Sequence, residues 1–305
     1  MTSDETGLVV RVRSRSFTVR LGGEEYAALV PKRLRYEDTD HVDPVAVGDR
    51  VRLSFKGTDA VIDEVLPRTN ALSRPASGRR GKRQLLAANL DLIVVLMAAA
   101  EPRWKSTTID RYLVMAAAAG VSALICMNKV DLDSAVSSSE ELRVYRDLGN
   151  PVIWVSALTG AGVETLQNHL AGKTGVMIGP SGAGKSTLLN RLIPDADARV
   201  GEISERTQKG RHTTSWVEMW DIPGGGRLLD SPGLRVLDLT GVDPGDLAGY
   251  FPEIAALVSG CRFQDCRHVA EPGCAVKEGV DGGRVARHRF KSYQRIYESL
   301  ESGKG

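Results

Sequence analysis

Cysteine is scarce, with 4 in 305 residues, and three of the four fall between Cys261 and Cys274. So uneven a set cannot staple a secreted scaffold, and its crowding beside His268 suits a metal site in a reducing compartment. Net charge is nearly absent too: 40 basic against 38 acidic side chains leave +2. Attraction to a polyanion would have to come from local patches, not from the whole surface. Spanning a bilayer takes about 20 apolar residues, and the longest such stretch, Leu85 to Ala100, is broken by Asn89 and Asp91. Met1 to Thr6 is polar and acidic, without the basic, apolar and small-residue order of an export signal. A cytoplasmic protein with no membrane partner is the expectation. No repeat of fixed period is present. Aromatic residues are few, yet 42% of the chain is hydrophobic, which excludes a disordered chain and allows two or three packed domains.

Short alternating runs fill the first region: Leu8 to Val12, Phe17 to Leu21, Tyr26 to Val30, Val51 to Phe55 and Ala60 to Val65. Turn residues separate them, and five short strands in so small a span predict a closed barrel of the OB type, a common nucleic-acid binder. Arg11, Arg13, Arg15 and Arg20 on its first strands mark a candidate binding face. From Leu66 to Leu90 a stretch rich in Pro, Gly and Arg reads as a basic loop; it carries Arg68, Arg74, Arg79, Arg80, Lys82 and Arg83 and no acid before Leu90. Beyond it, strand-like and helical runs alternate, which describes an α/β domain with a parallel sheet. Two last strands, Trp216 to Ile222 and Arg227 to Asp230, read as a hairpin at the sheet edge. The expected division is a barrel at 1–67, a basic linker at 68–84, an α/β domain at 85–240 and a C-terminal module at 241–305.

Gly179-Pro180-Ser181-Gly182-Ala183-Gly184-Lys185-Ser186-Thr187 follows the strand ending at Ile178 and opens a helix. This is the phosphate-binding Walker A loop in its proper setting: glycines let the backbone close round phosphates, and the helix N-terminus adds positive potential. Lys185 would grip the β- and γ-phosphates and Ser186 would ligate Mg2+. Asn128-Lys129-Val130-Asp131 follows another strand and matches NKxD. The Asp131 carboxylate can accept from both N1-H and the exocyclic amine of guanine, a donor pair adenine lacks. Asn128 would bond the other edge and the Lys129 stem would cover the base. Ser156-Ala157-Leu158 ends the next strand, where the Ala157 N–H would meet guanine O6. Asp230-Ser231-Pro232-Gly233 matches DxxG, with Asp230 holding Mg2+ through water and the Gly233 N–H reading the γ-phosphate. The polar stretch Gly201 to Ser215 fits switch I, and either Thr213 or Thr214 would complete the Mg2+ shell, Thr207 being the other threonine there.

The base motifs begin about 50 and about 20 residues before the phosphate loop, the reverse of an ordinary GTPase. A circular permutation explains this, since joining termini that lie close together preserves the folded site. Cys261, Cys266, His268 and Cys274 match the Cys3His composition of a closed structural zinc site, while Cys126 reads as a core thiol. A C-terminal helix within Arg284 to Ser299 would pack on this metal module, its bases Arg284, Arg287, Arg289, Lys291 and Arg295 facing outward.

Together the rotated motifs, the barrel, Gly210-Arg211-His212-Thr213-Thr214, the Arg83 to Asp91 join and the cysteine spacing resemble the RsgA (YjeQ) family of small ribosomal subunit biogenesis GTPases. The resemblance covers nearly the whole chain. It implies a circularly permuted P-loop GTPase with an OB-like barrel and a zinc-binding helical module. It also implies binding of the small (30S) ribosomal subunit and its rRNA late in assembly, subunit-stimulated hydrolysis of GTP to GDP, and release of the protein or of other factors; a monomer is expected. Leu234 stands where a water-orienting glutamine often follows DxxG, so by similarity to the family His212 is the candidate to orient the water. Two rivals are an ATP-dependent P-loop enzyme, which should lack NKxD, and an RNA-binding scaffold with structural nucleotide.

Overall fold

The computed structural model describes residues 6–13, 16–37, 40–57, 59–76, 82–193, 216–230, 239 and 241–303. By contact the chain divides into two compact units: Met1–Ile93, Val163–Ile178 and Lys185–Leu237 form the first, and Val94–Gly162, Gly179–Gly184 and Asp238–Gly305 the second.

The first unit begins with β1 (Thr6–Arg13), β2 (Ser16–Leu21), β3 (Glu24–Leu29), β4 (Arg50–Lys56) and β5 (Asp59–Val65), with helix α1 (Lys32–Glu37) between β3 and β4. Alternation turns Val9, Phe17, Val19, Val51, Leu53, Ala60 and Ile62 inward to one buried cluster. β1 pairs with both β2 and β4, β3 runs parallel to β5, and β4 pairs with β5, so the ring closes as the sequence predicts. A bulge between Val9 and Arg11 supplies local bending of the kind closure requires.

The segment expected as a basic loop is instead largely a hairpin, β6 (Ala71–Pro75) against β7 (Arg83–Ala88). Backbone bonds pin it to the barrel's β3–β4 connection: Ala88 N–H donates to Val47 O and Arg83 N–H to Asp40 O. Its arginines are engaged internally. Arg68 directs Nε and Nη2 to the two oxygens of fully buried Asp49 at 2.7 and 2.8 Å, Arg74 bonds Gln84, and Arg83 bonds Ser73. Neither strand alternates hydrophobic with polar residues, the usual strand signal, since Ser73-Arg74 and Arg83-Gln84 are adjacent polar pairs. Arg79 and Arg80 lie outside the described residues.

In the same unit β13 (Arg227–Asp230) runs parallel to β11 (Thr174–Ile178) and antiparallel to β12 (Trp216–Asp221). The hairpin forms, but it is not an edge, because β12 also pairs with the barrel's β1. The barrel arginines expected to face a ligand serve this junction. Arg11 and Arg13 bind Glu218, and Arg20 binds Asp221 and Glu25; Arg15 is outside the described residues. Helices α4 (Val163–Leu170) and α5 (Lys185–Leu192) complete the unit's regular elements among the described residues.

The second unit holds β8 (Leu92–Ala98), which starts in the first, with β9 (Ser122–Asn128) and β10 (Val152–Trp154), in the order β10-β9-β8 with β10 parallel to β9. Every residue of β8 is buried, and Cys126 is a core thiol that burial pushes up. Helices α2 (Ser106–Ala118) and α3 (Glu140–Asp147) accompany it. Ser139 caps α3 by accepting from Leu142 N–H, and Glu140 and Glu141 occupy its first turn, where the helix dipole favours negative charge. The C-terminal part carries α6 (Ala275–Asp281) and α7 (Arg287–Glu301). Tyr293 of α7 stacks edge-on against Phe251 at 5.6 Å, and its hydroxyl donates to Arg267 O. The helix therefore packs on the cysteine-rich segment, but Arg289 points inward at 2% exposure and leaves the basic face to Arg284, Arg287, Lys291 and Arg295. Among the described residues no helix is long and apolar enough to cross a membrane.

Candidate functional site

The phosphate loop follows β11 directly, and its glycines adopt conformations open to few other residues. Gly179, Gly182 and Gly184 have φ of 157°, 80° and 90°, all in the region where a Cβ is strained. At Gly179 a Cβ would also stand 2.1 Å from Leu96 O, and at Gly184 2.4 Å from Asn128 Nδ2. The backbone is thus packed against β8 and against the base motif. Ala183 is buried, and Lys185 begins α5, followed by Ser186 and Thr187.

Asn128, only 1% exposed, ties the three motifs together within the second unit. Its Nδ2 donates to Ala183 O at 2.9 Å and its Oδ1 accepts from Ala157 N–H at 3.0 Å. The Ala157 N–H expected for guanine O6 is therefore shared with Asn128. Sequence reasoning placed Asn128 on the base and missed this bridging role; the adjacency of NKxD to a strand end was the only signal available. Lys129 takes φ of 61° and its ammonium donates to Glu101 O. Val130 N–H donates to Val155 O, joining the NKVD turn to the strand before Ser156. Ser156 is fully buried and caps its turn by accepting from Thr159 N–H at 3.1 Å. Asp131 stands at the turn after Val130, and Leu158 is 75% exposed.

Asp230 closes β13, aligned in register with Glu218. Gly233, Leu234, Thr207, His212, Thr213 and Thr214 lie outside the described residues.

Farther along, Cys261, Cys266, His268 and Cys274 bring their four ligand atoms within 4.8 Å of one another. The Cys261 and Cys274 sulfurs each lie 3.5 Å from His268 Nδ1 and 4.0 Å from each other. Tetrahedral Zn2+ with ordinary bond lengths requires ligand separations of about 3.5–3.8 Å, so the cluster fits one zinc ion. Burial lowers the His268 imidazole, favouring the neutral ring that ligates a metal. Glu271 shapes the loop: despite partial burial, the N–H groups of Arg267, Val269 and Ala270 hold its carboxyl below the usual range.

The sequence profile of the RsgA GTPase family matches residues 65–240. The chain belongs to the RsgA GTPase family. A "Small ribosomal subunit biogenesis GTPase RsgA" from Gemmatimonas aurantiaca is 39% identical over 304 residues, covering 98% of this chain and 99% of the relative. Its namesake from Pseudomonas savastanoi pv. phaseolicola is 44% identical over 261 residues, 84% of this chain and 75% of the relative. Among solved structures, YjeQ from Thermotoga maritima superposes with a TM-score of 0.78 at 31% identity, covering 97% of this chain and 98% of that one. YloQ, described as a circularly permuted GTPase, gives 0.73 at 26% identity, covering 100% and 98%.

As an RsgA-family member the protein is a GTP hydrolase with a circularly permuted GTPase domain, using Mg2+ with GTP, and its Cys3His cluster can hold zinc. With four protein ligands no coordination position is left for a reacting water, so a zinc ion held there would be structural. Chelating the metal is expected to lower the unfolding temperature by roughly 5–10 °C, several kcal/mol spread over a chain of this size. Thermal unfolding with parallel zinc analysis checks this; a zinc-free protein with unchanged melting would refute it.

Proposed function

We propose that this RsgA-family GTPase acts on the small (30S) ribosomal subunit late in its maturation, as a cytoplasmic monomer whose GTP hydrolysis the subunit stimulates. The small-subunit biogenesis role named for the relatives supports the partner. The observation that carries guanine-nucleotide binding is the Asn128 amide, which joins NKVD, SAL and the phosphate loop. In this reading Asp131 reads the guanine edge, the Lys129 stem and Leu158 cover the base, and the Ala157 N–H serves O6. The backbone N–H groups of Gly179, Ser181, Gly182, Ala183 and Gly184, with Lys185, hold the phosphates, Ser186 and Asp230 hold Mg2+ with Thr213 or Thr214, and the Gly233 N–H senses the γ-phosphate. Mg2+ would neutralise charge developing on the transferred phosphoryl group. His212 orients the attacking water, taking the place of the absent glutamine.

We assign rRNA contact to the barrel (1–67) and the zinc module (241–305), joined to the GTPase domain (85–240) with 68–84 as linker. Exposed Arg287, Lys291 and Arg295 recur every fourth residue on one side of α7, beside Arg284, a stripe suited to phosphates. On the barrel, exposed Tyr36 and Phe55 offer stacking surfaces where Arg11, Arg13 and Arg20 are already engaged.

Asp131→Asn is expected to weaken GTP use on the order of a hundredfold, through loss of two charge-assisted hydrogen bonds, and to shift preference to xanthosine triphosphate. Turnover measured with both nucleotides, with and without purified small subunits, tests both halves. Unchanged guanine preference would reject the base assignment, and hydrolysis indifferent to small subunits would reject the partner.

A further inference from the structure

Glu218 lies in the middle of β12 with its side chain only 3% exposed, and the barrel occupies both its oxygens. Arg11 brings Nε to 2.8 Å and Nη2 to 2.7 Å from Oε1, and Arg13 brings Nη2 to 3.3 Å from Oε2. The strand registers set Arg11 of β1 opposite Glu218 on one side and Asp230 of β13 opposite it on the other. Directly opposed residues of antiparallel strands share a face, with Cβ atoms about 4.5–5.5 Å apart. Arg11, Glu218 and Asp230 therefore form one row across three strands of the first unit.

Two adjacent carboxylates repel, and a buried one without a cation is costly. Barrel arginines resolve both problems by drawing the Glu218 charge to their own side. Arg11 also lies 3.6 Å from Glu25, so its guanidinium is shared between two acids of the first unit. We infer that Arg11 and Arg13 clamp Glu218 so that its charge is kept from acting on the Mg2+ that Asp230 holds. The barrel thereby becomes part of the electrostatics of the nucleotide site. A phosphate backbone that recruited the partly exposed Arg11 and Arg13 would release that charge, giving an RNA-bearing partner a direct route to the switch. The inference rests on the assignment of Asp230 to Mg2+ made above.

The test is the factor by which Mg2+ tightens binding of a fluorescent GTP analogue to the full-length protein, a readout independent of turnover. Arg11→Met with Arg13→Met leaves Glu218 uncompensated and is expected to raise this factor by about threefold to tenfold. Glu218→Gln leaves the arginines uncompensated and is expected to lower it by a similar amount. Combining all three substitutions is expected to return it near the wild-type value. A purely structural Glu218 would not produce opposite shifts that cancel, so factors that stay at the wild-type value, or move together, overturn the inference. If the arginine double variant does not fold, the near-isosteric Glu218→Gln decides alone, an unchanged factor being the negative result. Asp230→Asn tests the underlying assignment separately: it should abolish the Mg2+ effect, and a full effect there would sink the role of Asp230 itself.

Discussion

A Gly184→Ala protein is expected to bind GTP about a hundredfold more weakly than the wild type, with base recognition damaged along with phosphate binding. Two costs combine. Alanine at a φ of 90° is strained by about 1–2 kcal/mol, and its Cβ would stand 2.4 Å from Asn128 Nδ2, far inside contact distance. Asn128 is buried and its amide holds Ala183 O on one side and Ala157 N–H on the other. Displacing it leaves buried polar groups unsatisfied at about 1–3 kcal/mol each. A phosphate-loop change acting only on phosphates would weaken GTP and ATP analogues alike and leave their ratio untouched. Here the guanine-to-adenine preference should fall as well, because the clash displaces the side chain that organises the SAL turn. Calorimetric titration with GTP and ATP analogues measures both effects, and intact guanine preference in the variant would show that Asn128 does not transmit between the loops.

This connection also marks the boundary of what the sequence made legible. The phosphate loop, NKVD, SAL and the zinc ligands were readable because each is a short segment whose chemistry requires those residue types at that spacing. The barrel was readable because its hydrophobic alternation has period two. Pairings between distant segments were not. Arg11 and Glu218 are 207 positions apart, and nothing in either neighbourhood specifies the other, so arginines that close a strand junction looked like a ligand face. The β6–β7 hairpin is hidden for a related reason: its strands carry no period-two alternation, and the backbone partners that stabilise it belong to the barrel's β3–β4 connection. Arg289 was grouped with its basic neighbours because helix periodicity shows which residues share a face but not whether a buried acid waits opposite.

That buried arginine carries the second large effect. Arg289 directs Nε and Nη2 to the Glu253 carboxylate at 2.7 and 3.2 Å and Nη1 to Asp110. Its Cζ lies 4.5 Å from the Phe251 ring centre and 5.3 Å from that of Tyr145, whose hydroxyl donates to Asp110 at 2.7 Å. Burial disfavours the charge, yet Asp110 and Glu253 more than offset this and keep the guanidinium protonated. One side chain thus fastens α7 and the Pro252–Ala255 turn to α2 and α3 inside the second unit. Arg289→Met keeps the apolar stem but strands two buried carboxylates, a loss of about 3–5 kcal/mol. Adding Asp110→Asn and Glu253→Gln should recover much of that loss, since it is the unpaired charge that destabilises. The pH dependence has a definite sign. Burial already raises the Asp110 carboxyl, and Arg289 opposes that rise; without the arginine the folded-state value climbs further. A raised carboxyl favours folding where it is protonated and loses that contribution as pH rises through its folded-state value. The stability gap between variant and wild type should therefore narrow in acid and widen toward neutral pH, as read by denaturant unfolding of both proteins across that range. A gap independent of pH would mean that lost packing, and not stranded charge, accounts for the effect.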